Sequence, residues 1–167
     1  YDTKDKVANY QTGGKIVNKE NILTSEIGYY YSFSKDFAFH KKVVLTNPEY
    51  VMNSDTLRYN TITKTAFFFG PSTIKGKENF IYCENGWYNT TLNTSQFSKH
   101  AYILSKEQKL KSDSLYYDRN KGIGRAFKNV EIIDTIQKIN ISGNYGEYFE
   151  FTGKAIVTQN AMLMQVY

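Results

Sequence analysis

Tyr1, Tyr30, Tyr59, Tyr88 and Tyr117 stand 29 residues apart, and Tyr148 follows 31 residues later. A spacing kept this often is an internal repeat, and it restricts the chain to architectures built from stacked, equivalent units. The residues leading into each tyrosine also recur. They read Ser25-Glu26-Ile27-Gly28-Tyr29-Tyr30, Ser54-Asp55-Thr56-Leu57-Arg58-Tyr59, Cys83-Glu84-Asn85-Gly86-Trp87-Tyr88, Ser112-Asp113-Ser114-Leu115-Tyr116-Tyr117 and Gly143-Asn144-Tyr145-Gly146-Glu147-Tyr148. Two further columns keep the step. One is Ile16, Leu45, Ile74, Ile103, Ile132 and Leu163; the other is Tyr10, Phe39, Phe68, Phe97, Ala126 and Val157.

A helical unit is excluded because no window carries an i, i+3, i+4, i+7 stripe. A leucine-rich unit is excluded because its leucine and asparagine ladder is absent. Tyr, Phe, Thr, Ile and Val favour pleated surfaces, and turn clusters recur every 12 to 16 residues, as at Ser34-Lys35-Asp36, Asn47-Pro48 and Lys75-Gly76-Lys77. Each unit therefore holds two strands, and turns this short make neighbours antiparallel. The alternation changes phase at one fixed point. Leu110 and Ser112 share one parity, Leu115 and Tyr117 the other, and the switch recurs in the other units. That predicts a bulge or corner, eased by Gly28, Gly86 and Gly146. Strands that all bend on one line make two facing sheets, open along one side, in a rod of about 55 Å at ~4.8 Å per strand.

At 167 residues the chain reads as a single domain, residues 1–167. Tyr1 already occupies a repeat position, so a fragment of a longer array is expected. No run of 18 apolar residues offers a membrane-spanning helix. Cys83 is the only cysteine, so no intramolecular disulfide forms, and its place in the serine column predicts a buried small side chain. The net charge of +5 suits an anionic partner without selecting one.

Catalytic patterns are absent. His40 and His100 lie in different units, without metal-ligand spacing. The carboxylates Glu26, Asp55, Glu84 and Asp113 recur once per unit, which predicts a structural device at the corner; a glycosidase uses one unequal pair. Nucleic-acid binding is not expected, because the aromatics alternate with aliphatics at inward parity. The interior columns allow either a dry core or a gaping groove for an apolar ligand, and the period does not choose between them.

The stretch Leu110-Lys111-Ser112-Asp113-Ser114-Leu115-Tyr116-Tyr117-Asp118, then Gly122, then Ala126 to Ile132 with Asn129-Val130, resembles the LptA/OstA family. Met52 to Asn60 is a second copy, while Lys42 to Leu45 and Asn160 to Leu163 fit more loosely. The pattern departs from the family's at Lys128-Asn129-Val130 and His100-Ala101, where a Gly-Asn-Val segment would stand, and in its many interior tyrosines. The resemblance implies an all-β, antiparallel β-jellyroll, or β-taco. It also implies a periplasmic location in a Gram-negative cell, with inner- or outer-membrane partners. The implied function is a non-enzymatic bridge without cofactor, which shields the acyl chains of lipopolysaccharide or a related glycolipid during outer-membrane assembly. Implied partners are other Lpt-type jellyroll domains, or a second copy, joined end to end.

The residues expected to line the groove are Leu23, Val43, Leu45, Met52, Leu57, Ile74, Ile81, Ile103, Leu110, Leu115, Val130, Ile132 and Ile141. Lys41, Lys99 and Lys128 share a column and are expected to meet lipid phosphates at the mouth. Unpaired edges for partners are expected near Val7–Tyr10 and residues 155–167. The alternatives are a structural cell-envelope stalk with a dry core, and an aromatic carbohydrate-binding module acting through Trp87 and exposed tyrosines.

Overall fold

The computed structural model describes residue 4 and residues 6–105 and 107–165. The repeat position of Tyr1 and the last two residues of the expected C-terminal edge lie outside the described residues. The strands are β1 (Val7–Tyr10), β2 (Gly14–Asn18), β3 (Asn21–Ser25), β4 (Ile27–Tyr31), β5 (Asp36–Thr46), β6 (Tyr50–Asn60), β7 (Thr65–Gly76), β8 (Phe80–Asn89), β9 (Thr94–Leu104), β10 (Gln108–Asp118), β11 (Ile123–Asp134), β12 (Ile139–Phe149), β13 (Lys154–Thr158) and β14 (Met162–Gln165). All belong to one antiparallel sheet in the order β1-β4-β5-β6-β7-β8-β9-β10-β11-β12-β13, while β2 and β3 continue the first two levels and β14 pairs with β12. The rod thus has eleven levels, about 48 Å from first to last.

Every level is bent at the same place. Between β5 and β6 the register slips from His40–Thr56 to Val43–Ser54, so Lys41 and Lys42 oppose Asp55 alone. Gly70 and Pro71 oppose Glu84, Lys99 and His100 oppose Asp113, and Lys128 and Asn129 oppose Asn144. Two residues against one is a bulge, and a bulge bends its strand. In three of these bulges both extra residues adopt left-handed backbone: Lys41 and Lys42 have φ of 63° and 49°, Lys99 and His100 58° and 56°, Lys128 and Asn129 61° and 48°; in the fourth only Gly70 does, at 78°. This conformation costs a side-chain-bearing residue about 1–2 kcal/mol.

The recurring motif supplies the compensation. Each corner serine donates its hydroxyl to the carbonyl two residues on, across the bend: Ser25 to Ile27 at 3.0 Å, Ser54 to Thr56 at 3.0 Å and Ser112 to Ser114 at 2.7 Å. The acid that follows reaches the left-handed pair of the next strand. Glu26 binds Lys42 at 2.6 Å, Glu84 binds His100 at 2.9 Å, and Asp113 accepts two 3.1 Å bonds from Asn129. The carboxylate column is therefore the expected corner device. The expectation for Gly28 and Gly86 is corrected: neither is left-handed. They sit beside the bend and leave room for rings. A Cβ on Gly86 would lie 2.2 Å from the Phe68 ring, and one on Gly28 would lie 2.4 Å from Tyr10.

The bend divides the sheet into two arms whose inner faces share a core. Arm A holds β1, β4, β13 and the half of each long strand containing the tyrosine; arm B holds β2, β3, β14 and the other halves. Phe39, Leu57, Phe68, Phe97 and Leu115 of arm A cluster with Val43, Met52, Cys83, Ala101 and Val130 of arm B. Burying such side chains contributes about 1.5–3 kcal/mol each. Burial pushes the Cys83 thiol up to about 12, as befits an inert packed side chain.

The arm-A turns form a ladder of their own. The amide of Thr61 donates to Lys35 at 3.0 Å, Thr90 to Lys64 at 2.9 Å and Arg119 to Asn93 at 3.0 Å. Asp36 anchors the first rung. The Ser34 hydroxyl, then Arg58 and Asn60, hold its carboxyl down at about 2, with Arg58 at 3.0 Å and Asn60 at 2.9 Å.

Two outcomes follow from this packing. Gly86→Ala forces Phe68 aside and should destabilise by about 1–3 kcal/mol in urea unfolding followed by fluorescence. Phe68→Ala in the same chain should then cost less than it does alone. Asp36, depressed when folded, stabilises above its unfolded pKa and loses that contribution as pH falls toward about 2. Asp36→Asn should therefore lower stability at pH 7 by about 1–2 kcal/mol and flatten the pH dependence between about pH 4 and 2 in parallel thermal melts.

Candidate functional site

Along arm B one inner row runs unbroken through the whole rod. The paired residues are Ile16, Leu23, Leu45, Met52, Ile74, Ile81, Ile103, Leu110, Ile132, Ile141 and Leu163, one from each level. Every member is aliphatic or Met. Facing it on arm A is the tyrosine row. Tyr30 pairs with Phe37, Phe37 with Tyr59, Tyr59 with Ala66 and Ala66 with Tyr88. Tyr88 pairs with Ser95, Ser95 with Tyr117, Tyr117 with Gly124 and Gly124 with Tyr148. The tyrosines thus line up on every second level, as the repeat predicts.

These two rows lie toward the open ends of the arms, beyond the deepest core residues, though Leu23 and Met52 of the aliphatic row are themselves buried in the core. Leu45, Ile74, Ile81, Ile103 and Leu110 are partly exposed and rest on the core beneath. The expected lining residues therefore fall into two sets. Leu23, Leu45, Met52, Ile74, Ile81, Ile103, Leu110, Ile132 and Ile141 belong to the aliphatic row. Val43, Leu57, Leu115 and Val130 sit deeper, beside the bend, at 1–3% exposure. The tyrosines were read from the sequence as markers of the repeat; the structure makes them the opposite wall.

Tyr59 and Tyr88 pack their rings against the core, and Tyr88 and Tyr117 carry their hydroxyls to groups of the arm-A turns. Tyr88 donates to Asn93 in the turn at 3.0 Å, and Tyr117 donates to Glu150. Burial, with that bond to Glu150, raises the Tyr117 phenol to about 12.

Lys41, Lys99 and Lys128 are placed differently from the expectation. They are exposed, but on the bend, where left-handed backbone is needed. The bend is the closed side of the rod, so these lysines are not at the mouth. The rims carry other cations, among them Lys19, Lys35, Lys64 and Lys138, each at a turn position with positive φ.

The two rims also meet. Arg119, in an arm-A turn, reaches Glu49 of an arm-B turn at 3.4 Å, from 70 residues away. Beneath this bridge, burial raises the Tyr50 phenol on arm B, and Tyr88 on arm A adds to the shift. The mouth is therefore strapped near mid-rod. Nothing local in the sequence points to this pair; only the fold brings its turns together.

At the two ends the groove differs. The Tyr10 ring fills the N-terminal end between Gly14 and Gly28, one glycine from each arm, and its hydroxyl meets Ser25 at 2.6 Å. At the C-terminal end the strands are open, with Met162 56%, Leu163 65% and Met164 48% exposed.

No curated protein matches this chain. Among solved structures it is similar to LptH, the LptA-homologous periplasmic component of the conserved lipopolysaccharide transport device of Pseudomonas aeruginosa, at 7% identity over 98% of this chain and 97% of that one, with a TM-score of 0.39. The model of the OstA-like protein family matches residues 1–55 and 51–113, which together make residues 1–113 of 167, more than half of the chain. The chain belongs to the OstA-like protein family.

Proposed function

We propose that the chain is a non-enzymatic lipid carrier in a periplasmic lipopolysaccharide bridge, holding acyl chains between the aliphatic and tyrosine rows. The observation that carries this reading is the unbroken aliphatic row, most of whose members are partly exposed, facing an amphipathic wall. Acyl burial is worth about 0.8 kcal/mol per methylene, so a single chain gains several kcal/mol. Equivalent rungs repeated at each level offer no position that traps the ligand, which suits sliding.

Lipid contact is assigned to the row from Leu23 to Ile141. Val43, Leu57, Leu115 and Val130 form the packed floor beneath it. The sugar-bearing headgroup stays in water along the tyrosine hydroxyls. Strands β1–β2 and β13–β14 leave unpaired edges at the two ends of the sheet, which suit end-to-end pairing with another jellyroll domain or a second copy.

A photocrosslinker at Ile103 should label lipopolysaccharide, whereas one at Leu57, on the floor, should label far less. No adduct at Ile103, together with exclusion of a small apolar dye, would leave the dry stalk as the better account. The strap supplies a second measurement. Glu49→Arg sets like charges across the mouth and should raise dye binding by about two- to fivefold, the range expected for losing an exposed ion pair. Adding Arg119→Glu restores the pair and should return the signal to its starting value.

A further inference from the structure

The tips of the arm-A turns carry large apolar side chains that the fold leaves in water. Phe33 is 88% exposed, Ile62 70%, Leu92 61% and Phe151 77%. They occupy four of the five arm-A turns, at residues 32–35, 61–64, 90–93 and 150–153. Successive turns are two strands, or about 10 Å, apart, so the line runs about 38 Å along the rod. Among the described residues, the arm-B turns carry one comparable side chain, Ile136 at 63%.

Two of these turns are closed by side-chain bonds that do not involve the tips, while the Phe151 ring lies beside Gly122. The Asn60 side chain accepts the amides of Ile62 and Thr63 at 2.9 Å each, and Asn89 accepts those of Thr91 and Leu92 at 3.0 and 2.8 Å. The tips are thus held on a rigid ladder while their apolar ends point away from the core. Lys35 and Lys64 close the first two turns with φ of 60° and 57°. Scattered exposed apolar residues are ordinary. An apolar line on one edge, accompanied by lysines, has the composition of a membrane-surface element.

We propose that the arm-A rim docks lengthwise on the surface of an anionic bilayer. The apolar tips enter the headgroup boundary, and Lys35 and Lys64 meet the lipid phosphates. A narrow line of tips enters a soft interface readily. It does not form the ~800 Å² face that a stable protein partner needs on each side. The same rim bounds the groove, so docking sets the mouth beside the headgroups. This extends the groove reading without depending on it.

The test is co-sedimentation of the 167-residue chain with vesicles of phosphatidylethanolamine and phosphatidylglycerol, against pure phosphatidylcholine, at low and high salt. The chain should bind the anionic vesicles and lose affinity as salt rises. The variant F33S/I62S/L92S/F151S should bind at least about tenfold more weakly, and K35E/K64E should lose binding at low salt. Both should keep the parent circular dichroism, since the substituted side chains are exposed. Crosslinking at Ile103 in the tip variant reports on the groove separately. The proposal is overturned if the parent binds neither vesicle, or if the tip variant binds equally well. It is also overturned if the tip substitutions instead abolish self-association in sedimentation velocity, which would make the line a contact between copies.

Discussion

Setting two residues of every second strand against one of its neighbour, at the same place along the rod, is what folds a single sheet into two facing arms. The left-handed pairs that do this are unfavourable for Lys, His and Asn. They persist because each is tied on both sides: a serine hydroxyl closes onto the backbone within the neighbouring strand, and an acid reaches the pair itself. Were the bulge displaced by one residue in any level, that level would turn its aliphatic row outward. Alignment of the bend and continuity of the groove are the same fact seen from two sides.

The two arms have different chemistry. Arm B places small residues next to the bend and aliphatics beyond it. Arm A places Phe and Leu next to the bend and tyrosines beyond. Bulky side chains therefore meet small ones across the floor, as the shared cluster of Phe68 and Phe97 with Cys83 and Ala101 shows. Toward the mouth an aliphatic wall faces an aromatic one. The proposed acyl-chain ligand, greasy on one side and wet along one edge, matches that division.

Much of this was legible in the sequence because the constraints are periodic. The tyrosine spacing gives the unit, the phase flip after Ser112 gives the bend, and the Ile16-to-Leu163 column gives every second rung of the aliphatic row. The lysines were misplaced because a column shows which residues are equivalent and does not show which side of the bend they face. Gly28 and Gly86 were misread because a glycine beside a ring and a glycine in a bulge look alike in one dimension. The Glu49–Arg119 bridge was invisible, since it joins two turns that no repeat relates.

Each level pairs its backbone only with the levels above and below it, which makes the rod nearly one-dimensional. Cohesion then resides in interfaces between neighbours more than in any global centre. The last level, with both β13 and β14 largely in solvent, has one such interface where interior levels have two. Amide exchange should accordingly form a gradient, fastest at that terminus and slowest around β7 to β9. The molecule can also lengthen or shorten by whole units without redesigning its interior, so the distance it spans is an evolvable quantity, counted in repeats.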